Sequence, residues 1–271
     1  MIRLAIRVRR EEAEVALAEL LALAPGGVEE TDLGDRVEYA VYGAPGELPA
    51  LPEVEAVVGG ALVEVVTTTV DDDWADRWRA FHQPVVIGER LHLRPPWAPA
   101  RDDLIEVVID PGQAFGTGAH DTTRLCLELL LQLEPDGPLM DLGCGSGVLA
   151  VAAAKLGFGP VHAIDHEAAS IEATRDNARA NDVTVQATRF DLLRDGPIPS
   201  APTTLANLLR PLLLNAARQG FAAPPPQALI ASGLLTTEAD EVAGAFAGRG
   251  YEEHARKETD TWAALLLRRP G

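Results

Sequence analysis

Cysteine is scarce in this 271-residue chain, which has only Cys126 and Cys144. One falls in a helical pattern and the other in a glycine-rich turn, so no structural disulfide is expected and a reducing, cytoplasmic setting is. Long apolar runs are missing as well. None approaches the roughly 18 residues that suggest a membrane span, so no membrane role is expected. The opening ten residues alternate apolar and charged side chains, unlike the apolar block of a secretory leader. No cysteine–histidine cluster has metal-ligand spacing, and no bound metal is expected. Positive charge is also short: 23 Lys and Arg stand against 41 Asp and Glu, a formal net charge of −18. That balance disfavours direct contact with nucleic acid phosphates. Two readings of it stay open, simple solubility and complementarity to a basic protein partner. Apolar residues, at 47%, are present in the usual globular proportion, enough for one large domain or two modest ones.

The most telling stretch that is present is Met140–Gly147, M-D-L-G-C-G-S-G, between a strand-like and a helix-like run. Glycines at alternate positions (Gly143, Gly145, Gly147) allow a tight bend and a close approach of backbone to ligand. The following helix aims free N–H groups and a partial positive charge at that ligand. A second strand, Val161–Asp165, ends in a carboxylate 18 residues past Gly147, where a nucleotide-type cofactor presents its ribose. A dinucleotide site would carry a small residue where this chain has Val148, which argues against a pyrophosphate and against a dehydrogenase. S-Adenosylmethionine has a ribose, an adenine and an amino-acid tail but no phosphate. Asp141, just before the bend, suits the ammonium of that tail.

Residues 1–70 read β-α-β-β-α-β, a ferredoxin-like order. Strands are expected at Arg3–Arg9, Val28–Asp32, Arg36–Tyr42 and Ala61–Val70, with helices over Ala13–Ala24 and near Pro52–Val58. Residues 71–82 read as a linker helix whose Trp74, Trp78 and Phe81 share one face, packing being the simpler use of these rings. Strands Pro84–Leu93 and Leu104–Asp110 follow. From Leu139 onward strands alternate with helices. Strands are expected at Leu139–Leu142, Val161–Asp165, Thr184–Thr188, Thr204–Leu208 and Gln227–Ser232. The intervening helices are Gly147–Leu156, Glu167–Ala180, Arg210–Ala222 and Thr236–Gly248, and Tyr251–Arg256 and Thr261–Arg268 close one edge. Such alternation implies a mostly parallel sheet with helices on both faces.

A second glycine-bearing loop, Asp110–Thr123 (D-P-G-Q-A-F-G-T-G-A-H-D-T-T), joins a strand to a helix expected over Arg124–Leu133. Thr122 and Thr123 can cap that helix. His120 reads as a structural hydrogen-bonder or as a base.

Together these motifs resemble a family of methyltransferases acting on the eleventh protein of the large ribosomal subunit. The resemblance spans Asp73 to Trp262. It rests on W-x-x-x-W-x-x-F (Trp74, Trp78, Phe81), I-G-E-R-L (Ile87–Leu91), P-P-W (Pro95–Trp97), the Asp110–Thr123 loop, D-L-G-C-G-S-G-V-L-A (Asp141–Ala150), A-N-L-L (Ala206–Leu209) and S-G-L-L (Ser232–Leu235). It implies a Rossmann-like class I methyltransferase domain of seven strands over residues 83–271. A substrate-recognising front domain over 1–70 and the linker over 71–82 would precede it. It implies S-adenosylmethionine as cofactor, held by Thr123, Gly143, Asp165 and Asn207, with Phe115, Gly116 and Thr117 closing over it. Asn207 would also meet the methyl-accepting nitrogen, as the catalytic residue. Gly145 and Asp141 belong to the glycine bend itself. Asp191, after the third strand of this domain, stands either against the adenine or in a turn. The implied substrate is a basic ribosomal protein, methylated on lysine side chains, its N-terminus or both, by a cytoplasmic monomer that contacts neither nucleic acid nor membrane. An N-methyltransferase for another protein or a small amine, and a non-catalytic S-adenosylmethionine-binding module, stay open. The chain departs from the family pattern at Asp121, usually proline, and at Leu208–Pro211, one residue shorter and bearing Arg210 beside the implied acceptor pocket.

Overall fold

The computed structural model describes residues 2–13, 16–17, 29–43, 62–69, 83–110 and 120–270. It divides into two compact units, Met1–Phe81 and His82–Gly271. The expected helices over Ala13–Ala24 (in large part) and near Pro52–Val58, and the linker helix, lie outside the described residues.

The front unit is a four-stranded antiparallel sheet of β1 (Ile2–Arg9), β2 (Glu29–Asp32), β3 (Arg36–Gly43) and β4 (Leu62–Thr69), in the order β2-β3-β1-β4. This is the strand order that a β-α-β-β-α-β chain gives in a ferredoxin-like domain. Alternation along β1 accounts for its two faces. Leu4, Ile6 and Val8 pack with Val37 and Tyr39, and Tyr39 donates its hydroxyl to the Ala13 carbonyl at 3.0 Å. On the other face Arg7 sits opposite Glu38 of β3 and Glu64 of β4, pairing with each at 2.7 Å. Gly34, at φ +89°, turns the β2–β3 hairpin.

The second unit centres on a seven-stranded sheet. Its strands are β8 (Leu139–Leu142), β9 (Val161–Asp165), β10 (Val185–Arg189), β11 (Thr203–Asn207), β12 (Ala228–Leu235), β13 (Glu252–Glu258) and β14 (Trp262–Arg268). They lie in the order β10-β9-β8-β11-β12-β14-β13. The first five of that order are parallel, and β14 and β13 run antiparallel at the end. The chain winds outward from β8 to β10, then returns to the other side of β8 as β11. That reversal opens a crevice at the carboxyl ends of β8 and β11, where open α/β sheets take their ligands.

Among the described residues five α-helices flank this sheet: α1 (Asp121–Leu130), α2 (Val148–Leu156), α3 (Ala168–Ala180), α4 (Arg210–Gln219) and α5 (Ala239–Ala247). One apolar layer joins α1, α2 and α3 to one face of the sheet through Leu125, Leu129, Val151, Ile171 and Ala178. The other joins α4 and α5 to the opposite face through Leu213, Ala216, Val242 and Phe246. These two layers are why β8 is buried along its whole length and β11 along all but its last residue.

The expected single strand Pro84–Leu93 is instead two short strands, β5 (Val85–Ile87) and β6 (Leu91–Arg94), with β7 (Ile105–Val108) completing a small separate sheet. Gly88 and Glu89 both adopt positive φ, +55° and +54°, and fold β5 back antiparallel onto β6. Consecutive left-handed residues match the twist of a tight hairpin. A Cβ on Gly88 would lie 2.6 Å from Leu131 Cδ1, the end of a side chain that can shift, so the positive φ rather than packing favours glycine there.

Candidate functional site

The glycine bend follows β8 directly. Gly143, Gly145 and Gly147 all take positive φ, between +51° and +81°. The N–H groups of Gly143 and Cys144 both donate to the Ile164 carbonyl, at 2.8 and 3.0 Å, tying the bend to β9. The bend is also held from behind by α3. Thr174 donates its hydroxyl to the Gly145 carbonyl at 3.1 Å and approaches Cys144 Sγ at 3.2 Å, and Asn177 Nδ2 donates to the Ser146 carbonyl at 2.9 Å. Cys144 is buried, and burial pushes its thiol pKa well up.

Two carboxylates frame the bend. Asp165 ends β9; its Oδ2 accepts from the Gly145 N–H and its Oδ1 from the Glu167 N–H, each at 3.0 Å. With one of these main-chain donors on each oxygen, the carboxylate retains acceptor capacity for further donors such as ribose hydroxyls. Asp141 is fully buried in β8. Its Oδ2 accepts from the Ala150 N–H of α2 at 3.2 Å, and its Oδ1 has no hydrogen-bond partner among the described residues. Burial chiefly, and secondarily the Asp165 charge, push its pKa up to about 7. An orphaned buried carboxylate oxygen is costly unless a donor reaches it. This oxygen and the glycine cradle fit an adenosyl cofactor with a cationic amino-acid tail.

Asn207 ends β11, the strand paired with β8. Its Nδ2 donates to Thr123 Oγ1 at 3.4 Å. Thr123 lies fully buried in the first turn of α1, and neither it nor Thr122 is the cap. The helix begins earlier than expected, and His120 caps it, Nδ1 accepting from the Thr122 N–H at 3.3 Å. The His120 ring meets Trp262 edge-on, centroids 4.9 Å apart. Burial lowers its pKa and favours the neutral ring, the form whose Nδ1 accepts at the cap, and that bond supports the structural role.

Asp191 follows β10. Its Oδ1 accepts from the Leu193 N–H at 2.8 Å, a side-chain turn, and the adjoining Phe190 N–H donates to the Asp165 carbonyl at 2.8 Å. Asp191 is thus a turn residue that also stands beside the Asp165 strand end. Arg210 opens α4 with its Nε 2.6 Å from Glu241 Oε2 of α5, so its charge is neutralised within the protein. Phe115, Gly116 and Thr117 lie outside the described residues.

The carboxyl ends of four neighbouring strands therefore carry Asp141 and the glycine bend, Asp165, Asp191 and Asn207. Sequence reasoning assigned no role to the residues behind them, although Ser232 and Gly233 fall in the S-G-L-L motif. Ser232, fully buried, donates its hydroxyl to the Thr122 carbonyl at 2.8 Å and fixes the start of α1. Gly233 permits the contact between β12 and Leu208. Polar side chains on the buried face of α3 (Thr174, Asn177 and Asn181) were the available signal, since a helix buries such groups only where they find partners.

Residues 50–270 match the family described as "Ribosomal protein L11 methyltransferase (PrmA)". Proteins named ribosomal protein L11 methyltransferase from Chloroflexus aurantiacus and Burkholderia lata are 38% and 34% identical to this chain. The first alignment covers 75% of this chain and 71% of the relative, the second 97% and 96%. The crystal structure of the ribosomal protein L11 methylase from Lactobacillus delbrueckii subsp. bulgaricus superposes with a TM-score of 0.59 at 26% identity, covering 70% of this chain and 100% of that one. A strand order with its crevice between β8 and β11, a glycine bend framed by two acids, and sequence likeness along nearly the whole length agree, and the chain belongs to the ribosomal protein L11 methyltransferase family.

Proposed function

We propose that this chain transfers methyl groups from S-adenosylmethionine to lysine side-chain and N-terminal amines of ribosomal protein L11. The observation that carries the reading is the placement of Asn207 against Thr123, beside the strand whose end forms the glycine bend. Gly143 and Gly145 let the main chain approach the cofactor, Asp165 accepts the ribose hydroxyls, and Asp141 receives the tail ammonium. Asp191 borders the adenine.

The bound cofactor supplies a methyl group already activated on a sulfonium. The protein's task is to align an amine lone pair with it, where proximity and orientation provide most of the acceleration. A lysine amine has an unperturbed pKa of about 10.4 and must be neutral to attack. A dry pocket favours that neutral form. Donation from Asn207 Nδ2 to Thr123 orients the amide and leaves Oδ1 to accept an amine N–H. Residues 1–70 recognise the substrate protein, whose basic surface complements a chain of net charge −18, and residues 71–82 link the two domains. The protein works in the cytoplasm as a monomer, without contacting nucleic acid directly.

Incubating the chain with labelled cofactor and large ribosomal subunits lacking methylation tests this reading. Label on L11 supports it. Label on another protein redirects it to that acceptor, and cofactor binding without label leaves a non-catalytic module.

Asp165→Ala is expected to weaken cofactor binding by about 1.5–3 kcal/mol, the worth of hydrogen bonds to a charged acceptor, roughly 10- to 150-fold in Kd. Calorimetry checks it, and an unchanged Kd removes Asp165 from the ribose.

Asp141 sets a pH dependence. Its pKa is raised in the folded state, to about 7, so the native protein holds a proton that the unfolded chain has already lost. Stability contributed at this site is therefore greatest below the unfolded pKa of about 4, and falls as pH climbs toward 7. A cationic tail beside Asp141 favours the ionised form, so cofactor affinity is expected to rise through pH 7. Asp141→Asn should flatten both profiles relative to wild type, read by denaturant unfolding and by calorimetry between pH 5 and 9.

A further inference from the structure

Helix α3 spends two buried asparagines, Asn177 and Asn181, on the segment that leads into the second glycine-bearing loop. They stand four residues apart on one helix face, each 3% exposed. Asn181 Oδ1 accepts from the Val108 N–H at 2.8 Å, and its Nδ2 donates back to the Val108 carbonyl at 2.6 Å. The strand β7, paired with β6 along one edge, thus finds a side-chain partner along the other.

Asn177 does something different. Its Oδ1 accepts from the Asp110 N–H at 2.9 Å, while its Nδ2 donates to the Ser146 carbonyl at 2.9 Å. Asp110 opens the D-P-G segment, and Pro111 after it has no N–H. Ser146 sits inside the glycine bend and is itself fully buried. One side-chain amide therefore spans the bend and the anchor of the other loop. Asn181 makes no such bridge: its bonds go to Val108 and, along its own helix, to the Asn177 carbonyl at 2.7 Å.

We propose that Asn177 is a positioning residue that sets the separation between the glycine bend and the Asp110 anchor, and that cofactor affinity depends on it. The proposal rests on the reading that the cofactor lies against the bend. An amide is required because one group must accept at Asp110 and donate at Ser146. Aspartate keeps the acceptor and loses the donor; alanine loses both.

The test is calorimetric titration of the full-length protein with S-adenosylhomocysteine, beside hydrogen exchange at the Asp110 amide. Asn177→Ala is expected to raise Kd at least about tenfold and to expose the Asp110 amide to exchange. Asn177→Asp should raise Kd to a similar degree while Asp110 stays protected. Asn181→Ala, which loosens β7 and the end of α3 but breaks no bond to the bend, should bind within about twofold of wild type even where its melting temperature falls as far. Equal losses in the two alanine variants would reduce Asn177 to a fold-stabilising role and overturn the proposal, as would a folded Asn177→Ala with unchanged Kd. If Asn177→Ala does not fold, the contrast between Asn177→Asp and Asn181→Ala decides. Wild-type protein that fails to bind would instead overturn the placement of the cofactor itself.

Discussion

Asn207→Ala is expected to lower turnover by about two orders of magnitude or more, with a smaller loss in cofactor affinity. The asymmetry follows from position. Asn207 ends β11, and its amide is oriented by a single bond to Thr123. On the proposed placement the cofactor keeps the bend, Asp165 and the orphaned Asp141 oxygen, while the acceptor amine loses the group proposed to hold its N–H and aim its lone pair. Orientation of this kind carries several kcal/mol of a transfer barrier, and each 1.36 kcal/mol is about tenfold in rate. Single-turnover kinetics with saturating cofactor separate the two terms. A variant with normal turnover would place the acceptor elsewhere. Asn207→Asp is informative beside it: Oδ1 is kept as an acceptor, but the donor to Thr123 is lost.

Gly233→Ala should be nearly as damaging, through geometry alone. Gly233 sits at φ +83°, and β12 slips register between Ala231 and Leu234 in its pairing with β14. A Cβ built there would lie 2.5 Å from the Leu208 carbonyl oxygen and within 3.0 Å of the Leu208 nitrogen. All of these contacts are main chain, so no side chain can swing aside. The left-handed conformation costs about 1–2 kcal/mol for a residue with a Cβ, and the clash adds to it by pushing Leu208 away from β12. Leu208 adjoins Asn207 and donates its N–H to the Ser232 carbonyl at 3.0 Å. A total loss of about 3 kcal/mol or more is expected in denaturant unfolding, within the range of the severe named mechanisms. The folded fraction should also show turnover falling with stability. Wild-type stability in this variant would mean that the β11–α4 junction yields more readily than its packing indicates.

The parts legible in the sequence are those where local pattern and tertiary demand coincide. Leu139–Leu142 and Val161–Asp165 were readable as strands to the residue, because short apolar runs bounded by glycine or by an acid leave little choice of element. The bend was readable because its glycines alternate where no other residue could follow the chain. Pro84–Leu93 was misread because apolar residues resume directly after the three turn residues Gly88, Glu89 and Arg90. Two left-handed residues at Gly88 and Glu89 divide it, and G-E is a weak turn signal. The start of α1 was misread because a histidine cap competes poorly, on propensity alone, with the two threonines after it. The roles of the framework behind the site were hidden for another reason. Thr174, Asn177 and Ser232 act through partners between 29 and 110 residues away in sequence, and no local pattern predicts which carbonyl a buried polar side chain will meet.

Cys144 gives the bend one more property. A sulfonium methyl reacts with soft nucleophiles, and a thiolate is a better one than any lysine amine. This chain keeps a sulfur within the turn proposed to cradle the donor, where a lowered pKa would invite the protein to alkylate itself. Burial holds the proton on that sulfur, so it remains a poor competitor for the methyl group. The dry packing that rigidifies the turn thereby also protects the catalyst from its own reagent.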